Sequence, residues 1–120
     1  MKFVRNTFWF FLLPFAFCIS SSFADEFVNK DIAVVRIMNK AAGKAVTVSL
    51  PVGKSAGFEK LEILARTCKQ TAPYQPENFY MFAEIKKNDT KIFSGWMDKN
   101  EPGDNPLQDA DYDLWLVKCE

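Results

Sequence analysis

Short segments in which apolar and polar residues alternate, each closed by proline, glycine or asparagine, recur from Ile32 to Cys119. They constrain the fold more than any other feature of the 120-residue chain. Alternation with period two puts every second side chain on one face, as on a half-buried strand. Val46, Val48 and Leu50 alternate with Ala45, Thr47 and Ser49, and Phe79, Met81, Ala83 and Ile85 form a second such series. Ile32 to Met38 is rich in β-branched residues, which favour extended backbone. Between the first two runs, Asn39-Lys40-Ala41-Ala42-Gly43 reads as a hairpin loop, because Asn and Gly tolerate positive φ. Pro51 and Gly53 end the second strand. Asn88-Asp89 offers a tight turn into Lys91 to Trp96.

Phe58 to Lys69 carries two patterns. Leu61, Ile63, Ala65 and Thr67 alternate as a strand would, yet Phe58, Leu61, Ala65 and Cys68 are spaced three or four apart, as on a helix. No competent helix cap precedes the segment, and its neighbours are strands, so a strand is expected. Thr71 to Asn78, with two prolines, reads as a loop, and Asp98 to Asp111 as a polar surface loop. Tyr112 to Cys119 is the final strand, with Trp115, Val117 and Cys119 expected on one face and Leu114 and Leu116 on the other. Six or seven short strands and no helix predict an all-β fold, a small antiparallel sandwich or barrel-like domain.

The N-terminus is of another kind. Lys2 and Arg5 precede the uncharged run Phe8 to Ile19, and Ser22 and Ala24 supply the small residues that a signal peptidase needs. The run is shorter than the roughly 20 residues that cross a bilayer and contains Pro14. Residues 1–24 therefore read as a cleavable secretory signal, leaving 25–120 as one domain with no stable membrane anchor. Cys18 would depart with the signal, so Cys68 and Cys119 remain. In an oxidising compartment such a pair is expected to be bridged, which the chain-entropy model values at about 4 kcal/mol for a loop of this length.

Charge and composition exclude much chemistry. Loss of Lys2 and Arg5 takes the 15 bases to 13 against 15 acids, a net charge of −2, so no nucleic-acid partner is expected. The chain has no histidine, which removes Ser-His-Asp and Cys-His nucleophile systems and imidazole metal sites. A carboxylate-only hydrolase would have to draw on Glu84, Asp111 and Asp113, which read more simply as solvated strand and turn residues. Asp98, Asn100, Asp104 and Asp109 loosely imitate a calcium loop. Pro102 at its fifth place and an aspartate at its twelfth weaken the match, so no metal or other cofactor is expected.

Aromatic residues carry the remaining signal. Trp96 and Trp115 could fill the core against the disulfide. Alternatively Trp96, Phe93, Tyr80 and Phe82, with Tyr74 held between Pro73 and Pro76, form an exposed patch of the kind that marks a partner.

Phe93-Ser94-Gly95-Trp96-Met97 and the terminal Tyr112-Asp113-Leu114-Trp115-Leu116-Val117-Lys118-Cys119 resemble motifs of an exported bacterial family, domain of unknown function 2155, common in alphaproteobacteria. Leu50-Pro51-Val52-Gly53 and the cysteine-bearing Phe58 to Cys68 segment match in the same order. The resemblance implies export and the two cysteines but no agreed activity. Relatives usually carry a His-Pro before the Tyr-Asp, whereas this chain has Asp98 to Pro106 after Met97 and no histidine, so no role of that histidine carries over.

Taken together, these features lead us to expect a non-enzymatic accessory or protein-interaction module of the Gram-negative periplasm, docking on another envelope protein. A small-ligand or calcium-dependent carbohydrate binder using Asp98 to Asp113 is the alternative.

Overall fold

The computed structural model describes residues 26–120; the expected signal, 1–24, lies outside the described residues. Among the described residues the chain forms eight strands and no helix: β1 (Phe27–Lys30), β2 (Ile32–Asn39), β3 (Lys44–Pro51), β4 (Ser55–Phe58), β5 (Leu61–Thr71), β6 (Phe79–Lys87), β7 (Thr90–Asp98) and β8 (Tyr112–Cys119). They build two antiparallel sheets. One has the order β1-β5-β6-β7, with β4 also paired to β5; the other has the order β3-β2-β8. All-β architecture is thus as expected. The count exceeds the expected six or seven because β1 and β4, four residues each, were not marked by any alternation.

The alternating residues form the core. Phe79, Met81, Ala83 and Ile85 of β6 are all buried, and they face Ala33, Val35 and Ile37 of β2 and Leu114 and Leu116 of β8 across the sandwich. Each large apolar side chain withdrawn from water contributes about 1.5–3 kcal/mol. The β3 pattern weakens toward one end: Leu50 is fully buried, but Val46, on this edge strand and opposite the buried Ile37, is 41% exposed. At the β6–β7 turn, Asn88 and Asp89 both take positive φ, 49° and 67°, the conformation whose twist matches a two-residue hairpin.

Two bulges decide which faces meet. In β5 the register shifts between Ala65 and Thr67, so Leu61, Ile63 and Ala65 point inward and Cys68, not Thr67, is the next to do so. That extra residue produced the helix-like spacing in the sequence. In β8 the pairing with β2 shifts at Val34/Val35, which skips Val117. Cys119 consequently joins Leu114 and Leu116 on the buried face, and Trp115 and Val117 turn outward, which corrects the expected grouping.

Cys68 and Cys119 are bonded, with Cα atoms 5.7 Å apart and a sequence separation of 51. The bond joins the two sheets, and both cysteines are buried. The 98–111 segment straps the open side from β7 to β8. Asn105 Nδ2 donates to the Trp96 carbonyl at 3.0 Å, Leu107 of the strap is buried in the core, and Asp109 is anchored by Lys87.

Candidate interaction face

Because the odd residues of β6 point inward, Tyr80 and Phe82 stand on the outer face of the larger sheet. The register sets Phe82 opposite Trp96 on β7 and Tyr80 opposite Lys69 on β5. Asn29 of β1 lies opposite Lys69, which puts Phe27, two residues away, on the same face. The rings of Phe82 and Trp96 meet edge to face at 5.3 Å, as do those of Phe27 and Tyr80 at 5.6 Å. The Lys69 ammonium lies between the two pairs, 4.4 Å from the Phe27 ring centroid and 4.8 Å from that of Trp96. Each such cation–π contact at an exposed site is worth about 0.5–1 kcal/mol.

Trp96 remains 43% exposed and Phe27 36%, so neither fills the core. Three of the five residues expected in the patch, Trp96, Tyr80 and Phe82, are therefore brought together. Phe93 is not one of them: it is 9% exposed and belongs to the core, since residues one apart on a strand face opposite ways and Trp96 lies three positions on. Tyr74 is 73% exposed on the 72–78 loop and takes no part in these ring contacts. Phe27 and Lys69 were missed. Neither lies in a sequence motif, and only the pairing of β1 with β5 places them here.

The other end of the face is charged. Arg66 Nε bonds Glu84 Oε2 at 2.9 Å. The guanidinium's hydrogen bond holds the Glu84 carboxyl below its ordinary value, although partial burial works the other way. Lys86 and Lys91 stand opposite each other beside this pair. Asp111 is bound by Lys87 at 2.6 Å and Asp113 lies 3.4 Å from Lys40. The three carboxylates considered for hydrolysis are thus held by three different cations.

The calcium-loop residues do not converge. Asp98 Oδ1 accepts from Asn78 Nδ2 at 2.8 Å and from the Asn100 amide at 2.9 Å. Asp109 accepts from Lys87 Nζ and from the Asp111 and Tyr112 amides. Burial raises the Asp109 pKa, but those bonds outweigh it and leave the carboxyl below its ordinary value. Among the described residues no three His, Cys, Asp or Glu side chains gather as a metal site.

On the opposite sheet, a cleft of about 350 Å³ lies between the strap and β8, lined by Pro102, Gly103, Pro106, Leu107, Asp113, Leu114 and Trp115. Its walls are apolar except for Asp113, so a sugar would find few groups there for its hydroxyls. Trp115 lines this cleft rather than packing on the disulfide. No helix among the described residues is long and apolar enough to cross a membrane.

A family model described as "Uncharacterized protein conserved in bacteria (DUF2155)" matches residues 33–119. No curated protein and no solved structure matches the chain.

Proposed function

The chain belongs to the bacterial family DUF2155, and from that premise we propose that it is a non-enzymatic docking module of the cell envelope. In this proposal it is exported to the periplasm, loses residues 1–24, and binds another envelope protein through the aromatic face of its larger sheet. The observation that carries this proposal is the Lys69 clamp: on an outer face, one ammonium lies against the rings of Phe27 and Trp96, each of which meets a second ring edge to face, and Trp96 is still 43% exposed. Large aromatics half out of water are costly to leave uncovered and are typical binding anchors. Support for a non-enzymatic role comes from the lack of histidine, the bonded cysteines and the ion-paired carboxylates. Support for export comes from the N-terminal segment and from the disulfide, a bond at home in oxidising compartments.

The test is photocrosslinking in the cell. A photoreactive phenylalanine at position 96 should give a discrete adduct with another envelope protein. The same residue at Thr47, exposed on the opposite sheet, should give none. Equal labelling from both positions, or none from position 96, would remove the proposal. Mass spectrometry of the purified protein tests export directly: a mature N-terminus at Asp25 is expected, and an intact Met1 in the cytoplasmic fraction would count against it.

A further inference from the structure

The geometry points to the partner's chemistry: an acidic polypeptide segment with an apolar anchor, its carboxylate meeting Lys69 and its anchor lodged against Phe82 and Trp96. This rests on the docking proposal above and narrows it.

Three observations carry it. The first is ring orientation. Phe27 and Tyr80 are inclined at 88°, and Phe82 and Trp96 at 71°. Rings at near right angles form steps and notches, not a continuous floor. A polysaccharide stacks its flat faces on rings that lie in one plane, whereas a protruding side chain fits a notch. A polypeptide suits this surface better than a glycan.

The second is the state of Lys69. None of the ion pairs among the described residues involves it. The acids of the same face are committed or remote: Glu84 to Arg66, Asp98 to Asn78 and the Asn100 amide, and Glu62 to a position opposite Lys86 at the far end. Two aromatic rings already displace water from the ammonium. A partner that covered it with an apolar or basic group would leave a desolvated, unpaired charge, which is strongly unfavourable. A carboxylate would find its attraction enhanced by the lowered local dielectric.

The third is the charge pattern around the rings. Arg66 is neutralised by Glu84 and Glu62 stands opposite Lys86, so Arg66, Lys69, Lys86 and Lys91 exceed Glu62, Glu84 and Asp98 on this face by one charge, while the processed chain as a whole would be acidic. That local excess, centred on the unpaired Lys69, favours the approach of an acidic partner to this face.

The experiment selects random 12-residue peptides displayed on phage against the full chain, purified in the form in which cells export it. Selected sequences should be rich in Asp and Glu around a large apolar residue. Their binding, read by fluorescence anisotropy, should weaken at least tenfold in Lys69→Glu and in Trp96→Ala. It should stay within about threefold in Lys69→Arg, which keeps the charge, and be unchanged in Thr47→Glu on the other sheet. Circular dichroism melts establish that each variant is folded. Enrichment of basic or neutral sequences that still require Trp96 would overturn the acidic inference and leave the docking face standing. Peptides indifferent to Trp96→Ala, or no enrichment at all, would overturn both. Binding of polygalacturonate through Lys69, without peptide enrichment, would replace the polypeptide with an anionic glycan.

Discussion

A Cβ atom placed on Gly95 would stand 2.7 Å from the side-chain nitrogen of Asn105. That nitrogen also donates to the Trp96 carbonyl, so the glycine of the F-S-G-W-M motif is where the 98–111 strap presses on the edge of β7. Gly95→Ala should push Asn105 away and lose a hydrogen bond worth about 1 kcal/mol. With Asn105→Ala already in place the same substitution meets no obstacle. It should then be neutral or slightly stabilising, since alanine costs less backbone entropy than glycine. Urea denaturation of the two single variants and the double variant measures this coupling. Strict additivity would show that the strap does not bear on Gly95.

The Cys68–Cys119 bond closes 51 positions, and its loss from the unfolded chain's constraints is worth about 4 kcal/mol in the chain-entropy model. Small domains have only about 5–15 kcal/mol in total. The Cys68→Ala/Cys119→Ala variant should therefore lose a large share of its stability, at least about a quarter, seen as a large fall in melting temperature. With both cysteines buried, dithiothreitol should leave the native protein oxidised and reduce it only when urea is added. Rapid reduction of the folded protein would contradict that burial.

Much of this architecture is written in local patterning, and its failures have definite causes. β6 is legible because every second residue is apolar and Asn88-Asp89 are suited to left-handed backbone. β1 and β4 are not, because Phe27–Lys30 and Ser55–Phe58 are four-residue edge strands, too short for a pattern to stand out, paired along one edge of β5 with no fully buried side chain of their own. Alternation alone puts Cys119 on the face of Trp115, and the bulge that moves it to the buried face adds a residue without leaving a mark in the composition. Of the candidate site, Tyr80 and Phe82 followed from period two and Trp96 from its place after Gly95 at a strand end, while Lys69 and Phe27 required knowledge of which strands are neighbours.

Removing the ammonium between Phe27 and Trp96 should cost a measurable but small amount. Lys69→Ala is expected to destabilise the fold by about 1 kcal/mol, the sum of two exposed cation–π contacts at the lower end of their range. Lys69→Arg should largely preserve it. Phe27→Ala should cost less in the Lys69→Ala background than in the parent, because one contact is then already gone. Equal costs in both backgrounds, measured by thermal melts, would show that Lys69 and Phe27 do not interact.

Acid should loosen the strap first. Asp109 titrates below its ordinary value of 3.8 when folded, so on acidification the unfolded chain takes up this proton before the folded one does. Stability from Asp109 is then fully present above that ordinary value and is lost as pH falls through the lower, folded one. The urea midpoint should be level from neutrality to about pH 5 and drop below pH 4. Asp109→Asn should lower the neutral plateau, because Lys87 and two amides lose a charged acceptor, and should flatten the acid limb. Glu84, also held below its ordinary value, by Arg66, adds to the same limb from the exposed face. Salt separates the two: about 0.5 M should screen the surface pair and leave the partly buried Asp109 contribution largely intact. An Asp109→Asn variant whose acid limb matched the parent at both salt concentrations would show that Asp109 does not couple to folding.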